Sequence, residues 1–224
     1  MTGWPRSGRW PAPAVRDPGV AATVWWSRTT GDPRPRARAL LRRAAASVLD
    51  CPQETVEVAY EAGGRPYVAG TGGNLHVGVG HCRAGVVAVV VSTRAPVGVD
   101  IEVVRPLPAV ELARRFMLAP EAEWVAGEPE ELRVLAFLWL WTHKEAIGKA
   151  YGTGLRQGGL RRPVPPPRGW PSPVPSRRLR AIPGDPGMCT AAPYPRGPLV
   201  LAVACGGQAS DGASVAVHEV ARDG

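Results

Sequence analysis

Hydrophobic and polar positions along this chain follow two rhythms. Residues 86–91 and 97–101 are dominated by β-branched residues, 56–60 (Val-Glu-Val-Ala-Tyr) alternates apolar with polar, and 22–26 and 75–79 are strand-like, so these stretches predict strands. Residues 35–49 instead place Leu40, Leu41, Ala44, Ala45 and Val48 on one side of a helix. Two shorter helices are predicted at 109–117 and 120–127. A long one spans 130–151, which is free of proline and rich in Leu, Ala, Glu and Trp. A further apolar run at 199–204 predicts a late strand. Residues 163–175 carry too many prolines for a central strand and read as an extended surface loop. Residues 1–20, rich in Pro, Gly and Arg, read as a poorly ordered lead-in. The pattern is α+β, divided into an N-terminal half at 21–96 and a C-terminal half at 97–224.

Two of these elements concentrate chemistry. Side chains two apart on a strand share a face, so Asp100 and Glu102 point the same way from the 97–101 strand. In the 130–151 helix, Glu145 and Lys149 stand one turn apart. Taken singly, these pairs read as a solvated strand edge and a helix ion pair contributing about 0.2–0.5 kcal/mol. Taken together, three carboxylates that could share one hard divalent cation, with a lysine beside them for an anionic oxygen, look like a metal-phosphate site. Magnesium suits it, because that ion takes oxygen ligands and is usually held by one or two carboxylates together with substrate phosphates. Gly148, inside the helix, costs up to about 1 kcal/mol relative to alanine unless a backbone or ligand comes close. His143 reads as a residue of the helix surface, and Lys144 points about 100° away from Glu145 around the helix.

The segments Val97-Gly98-Val99-Asp100-Ile101-Glu102 and Trp141-Thr142-His143-Lys144-Glu145-Ala146-Ile147-Gly148-Lys149 resemble the bipartite signature of the 4'-phosphopantetheinyl transferase superfamily. In that signature Gly-Val/Ile-Asp-x-Glu is followed by Trp-Ser/Thr-x-Lys-Glu-Ala/Ser-x-x-Lys. Further likenesses run in the family's order: Arg38 in an early helix, the Gly64-Arg65-Pro66-Tyr67 turn, Gly80-His81, Arg115-Phe116 with Glu121, and Gly152-Thr153-Gly154-Leu155. Gly80-His81-Cys82 stands where many members have Ser-His-Ser. The length resembles that of the surfactin-synthetase-activating class, which implies a monomer of two similar α+β halves related by a pseudo-twofold axis.

The resemblance implies transfer of 4'-phosphopantetheine from coenzyme A to a serine of an apo acyl or peptidyl carrier protein, with release of 3',5'-ADP. It implies Mg2+ on Asp100, Glu102 and Glu145, with Glu145 as the base, directly or through a water, and Lys149 on the phosphate and leaving oxygen. Arg38, Arg65, Pro66, Gly80 and His81 would line the coenzyme. Service to polyketide and nonribosomal peptide carriers is the expected setting. Glu121 is expected to assist the site or to be a helix-start charge.

Composition adds direction. The 224 residues suffice for a sizeable core, and 27 Lys and Arg against 19 Asp and Glu give a net charge of +8. Such a surface would steer an anionic coenzyme or an acidic carrier. It also fits a nucleic-acid module built on 34–43, but no nucleic-acid fold signature accompanies that run, and no nucleic-acid partner is expected. A non-catalytic relative keeping the same fold is the other alternative, disfavoured by the intact acids and lysine. Cys51, Cys82, Cys189 and Cys205 show no CxxC spacing and read as reduced and buried. Neither a signal-peptide core nor a long apolar run is present, so no membrane partner is expected and the location read from the sequence is cytoplasmic.

Overall fold

The computed structural model of the chain describes residues 19–156, 158–165, 167–194, 198–207 and 213–221. Most of the expected lead-in at 1–20 therefore lies outside the described residues. The N-terminal half opens with strand β1 (Val20–Arg28) and helix α1 (Pro33–Leu49). α1 starts two residues earlier than its apolar stripe suggests, because Asp32 caps it, accepting a hydrogen bond from the Arg34 amide at 3.0 Å, and Pro33 fits the first turn. A hairpin of β2 (Val58–Tyr60) and β3 (Pro66–Val68) follows, so the turn around Arg65 joins two short strands. β4 (His76–Cys82) and β5 (Val86–Ser92) complete this half.

The C-terminal half begins with β6 (Val97–Val103) and continues through α2 (Ala109–Phe116), α3 (Ala119–Gly127) and α4 (Glu130–Tyr151). It then adds β7 (Ser176–Ile182), β8 (Asp185–Tyr194), β9 (Leu199–Gly206) and β10 (Ser214–Glu219). Three of these last four strands were not expected from the sequence. Arginines on β7 and prolines in β8 hide their alternation.

The strands form one large sheet in the order β4-β5-β1-β10-β7-β8-β9-β6, and β2-β3 stand apart. All neighbours are antiparallel except β1 and β10, which run parallel and stitch the last strand to the first. The sheet is rolled so that its inner face encloses the main core. In β5, Val86, Ala88 and Val90 point inward, while Val87, Val89 and Val91 point out to Leu40, Leu41, Ala44 and Ala45 of α1. β9 repeats the division: Leu201 and Val203 face inward, and Ala202 and Ala204 meet Ala146, Ile147 and Ala150 of α4. Helices thus cover both outer faces, and every residue of β5 and β9 is buried.

Candidate functional site

β6 obeys the same alternation. Val97, Val99 and Ile101 enter the inner core, which turns Gly98, Asp100 and Glu102 outward to α4. Gly98 lets the helix come close, because a Cβ there would collide with the Ala146 carbonyl and the Ala150 amide. On the other side, a Cβ on Gly80 of β4 would lie 2.7 Å from the Val99 carbonyl oxygen and 3.0 Å from the Asp100 Cα. Two missing side chains therefore bring β4, β6 and α4 together around Asp100. The position of Gly148 follows from the same economy, since its missing Cβ makes room for the Gly154 backbone.

At this junction Lys149 Nζ lies 2.7 Å from Asp100 Oδ1 and donates to the Val99 carbonyl at 3.2 Å. The other oxygen of Asp100, Oδ2, is buried and has no hydrogen-bond partner among the described residues, although Asp100 is only 4% exposed. Burial, followed by the Asp100 charge, pushes the Glu102 carboxyl up to about 7, with Glu145 adding a smaller push. Burial also raises Glu145; the Lys149 charge opposes this and Asp100 reinforces it. Burial pulls Lys149 down, but the charge and hydrogen bond of Asp100, with Glu145 and Glu102, win and hold it above the usual lysine range. Lys149 is thus the common neighbour of three acids that crowd one another.

Among the described residues no three His, Cys, Asp or Glu side chains converge closely enough to hold a metal ion as they stand. The three carboxylates expected to share one ion are gathered about the Lys149 ammonium instead. The donor set nonetheless fits a hard divalent cation: all oxygen, partly buried, with one orphaned carboxylate oxygen and two carboxyls whose ionisation is held back first by burial and then by the Asp100 charge.

The remaining sequence candidates are placed as follows. Arg65, in the β2-β3 turn, reaches over the end of α4, its guanidinium against Gly152, and its charge is the second cause, after burial, of a lowered His76. Pro66 opens β3 and is half-buried. His81 is exposed on β4 beside the buried Gly80. Arg38 is exposed on α1, with Nη2 donating to the Val58 carbonyl at 3.2 Å, which ties it to β2.

Lys144 points away from the junction as expected, whereas the expectation for His143 needs correction. Lys144 is fully buried and reaches away from Asp100: its Nζ lies 2.8 Å from Glu121 on α3 and also donates to the Arg162 carbonyl. Glu121 in turn accepts the Leu118 amide at 3.1 Å, so this pair locks α3 to α4. His143 is buried rather than on the helix surface. Its ring lies 4.3 Å from that of Trp139, Nδ1 donates to the Trp139 carbonyl, and burial lowers it to about 4, leaving it uncharged at neutral pH. A polar side chain such as His143 on a long helix reads as solvent-facing until the neighbouring elements are known.

The sequence profile of the 4'-phosphopantetheinyl transferase superfamily matches residues 96–168. The chain is 32% identical over 119 residues to the 4'-phosphopantetheinyl transferase psf-1 of Bacillus pumilus, which is 53% of this chain and 49% of that protein. Over 116 residues it is 29% identical to the 4'-phosphopantetheinyl transferase gsp of Aneurinibacillus migulanus, covering 52% of this chain and 46% of that one. It is 32% identical to the 4'-phosphopantetheinyl transferase HetI of a Nostoc species over 121 residues, 53% of this chain and 51% of the relative. The chain spans about half the length of the curated relatives it matches. The matched segment includes all of β6 and α4, and through it the residues that hold Asp100, Glu102, Glu145 and Lys149 resemble the 4'-phosphopantetheinyl transferase superfamily.

Proposed function

We propose that this protein transfers 4'-phosphopantetheine from coenzyme A to a serine of an apo acyl or peptidyl carrier protein. The observation that carries this reading is the Asp100–Lys149 pair between β6 and α4, inside the segment that matches the family, with the second Asp100 oxygen buried and unpartnered. Asp100, Glu102 and Glu145 would hold Mg2+. Bound there, that ion would neutralise charge on the coenzyme's phosphates and polarise the reacting phosphoryl oxygen.

The chain's own residues do the rest. A serine oxygen of the carrier forms a bond to the β-phosphorus of coenzyme A as the bond from that phosphorus to the 3',5'-ADP oxygen breaks. The serine proton passes to Glu145, whose raised carboxyl brings its basicity nearer to working pH. Lys149, held firmly cationic by its acidic neighbours, sits beside Asp100, where it can stabilise negative charge growing on the phosphate and leaving oxygens. Arg65, whose guanidinium lies against Gly152 just past the end of α4, would contact the coenzyme's nucleotide end with Pro66, His81 and the Gly80 backbone, and Arg38 would extend that surface along α1. The net charge of +8 suits both an anionic coenzyme and an acidic carrier.

The chain would act as a monomer of two halves related by a pseudo-twofold axis. The strand triples β4-β5-β1 and β8-β9-β6, each following a strand–helix start, support this arrangement. Carriers of polyketide and nonribosomal peptide synthesis in the cytoplasm are the proposed setting. The test is the intact mass of an apo carrier incubated with the protein, coenzyme A and Mg2+. A gain of one phosphopantetheine group, lost in EDTA and in Glu145→Gln, is expected. Failure to modify acyl or peptidyl carriers, with no binding of coenzyme A, overturns the reading.

A further inference from the structure

The basic stretch at 177–180 lies on β7, where alternation sends Leu179 into the core and leaves Arg178 and Arg180 on the opposite face with Ser176. The β7-β8 register sets Arg180 opposite Thr190, so both belong to one face of the hairpin. Ser176, Arg178, Arg180 and Thr190 line a cleft whose floor is the buried His143 and whose lip is Arg168 from the proline-rich loop. No carboxylate is among the described residues that line it. Burial and then the charge of Arg168 pull Arg180 below the usual arginine range, which still leaves it cationic at neutral pH. Thr190 is 1% exposed, and its hydroxyl has no hydrogen-bond partner among the described residues. Native proteins seldom bury a hydroxyl unsatisfied, since leaving it so costs about 1–3 kcal/mol.

We propose that Arg168, Arg178, Arg180 and Thr190 form a binding site for a phosphate-class oxyanion. The three arginines that line the cleft supply positive charge, and the buried Thr190 hydroxyl supplies a donor. The site faces the His143 side of α4. Lys149 is six residues on from His143, about 240° around the helix, so the site is separate from the Asp100 junction. It stands independently of the transferase reading.

The experiment titrates inorganic phosphate into the full chain at constant ionic strength, with chloride as the balancing ion, by isothermal calorimetry and thermal melting. Saturable binding is expected, weakened about tenfold or more in Thr190→Val and in Arg168→Gln/Arg178→Gln, and retained in Thr190→Ser. Arg168 and Arg178 are exposed, so their replacement leaves the fold intact, and Thr190→Val without phosphate melts no lower than the parent. Lys149→Met separates this site from the acidic junction and is expected to keep the binding. O-phosphoserine in place of phosphate distinguishes the sources: equal binding marks a site open to phosphate esters, and selective binding of phosphate marks one for the free ion. Binding lost in Lys149→Met but kept in Thr190→Val, or no saturable effect beyond that of chloride, overturns the proposal.

Discussion

Single residues carry opposed electrostatic burdens, and these give measurable signs. Glu102 is raised to about 7, above its ordinary 4.5, so the folded state favours its protonated form. Its contribution is intact below pH 4.5 and is lost as pH rises through about 7. In EDTA, the denaturation midpoint of the parent relative to Glu102→Gln should therefore fall from pH 5 to pH 8, and a flat difference would contradict the burial of that carboxyl. His143 acts in the other direction. Its imidazole is neutral when folded down to about pH 4 but takes a proton at 6.5 when unfolded, so it removes stability as pH drops from 6.5 towards 4. The pair Glu121–Lys144 is a third case. Glu121→Gln strands a fully buried ammonium and should cost on the order of 3–5 kcal/mol in urea denaturation, whereas Glu121→Gln/Lys144→Met should recover most of it.

At the scale of elements, the junction depends on what is missing from β6 and β4. Gly98→Ala must push α4 off β6, an overpacking cost of about 1–3 kcal/mol, and should lower the proposed carrier modification far more than it lowers stability, because it parts Asp100 from Lys149. Parallel urea and transfer measurements check this. The sequence makes these elements unevenly legible. β5, β6 and α4 were plain because their runs are long and their alternation or lack of proline is clear. β7, β8 and β10 were not; in β7 the arginines and in β8 Pro186 and Pro193 interrupt the alternation that marks a strand. The four residues of the junction were legible as motif positions. Lys149 as the neighbour of every acid, Lys144 as a structural bolt and Thr190 as an orphan depend on packing between elements far apart in the chain, which spacing alone does not encode. Another such contact is the cross-strand pairing of Cys189 with Cys205, both buried, with burial first and Cys189 second in raising the Cys205 thiol to about 11.

Across the whole molecule, one rolled sheet runs through both halves, and the parallel pairing of β1 with β10 joins the first described strand to the last. Neither half keeps its inner face covered without the other, because Val24 and Val90 share a core with Val99 and Val203. Unfolding should therefore be a single transition, with calorimetric and van't Hoff enthalpies in agreement; two resolved transitions would show that the halves stand alone. Among the described residues no helix is long and apolar enough to cross a membrane.

α4 has work on each side. Glu145 and Lys149 face β6, Lys144 reaches α3, His143 and Trp139 border the arginine cleft, and Ile147 and Ala150 seal the outer core. Adding one residue at its midpoint would turn everything beyond by about 100° and hand each of these tasks to the wrong side chain at once. Such a helix behaves like the cylinder of a lock: individual pins can be recut, but its length cannot drift, and variation in this protein is expected to collect in the loops on either side of it.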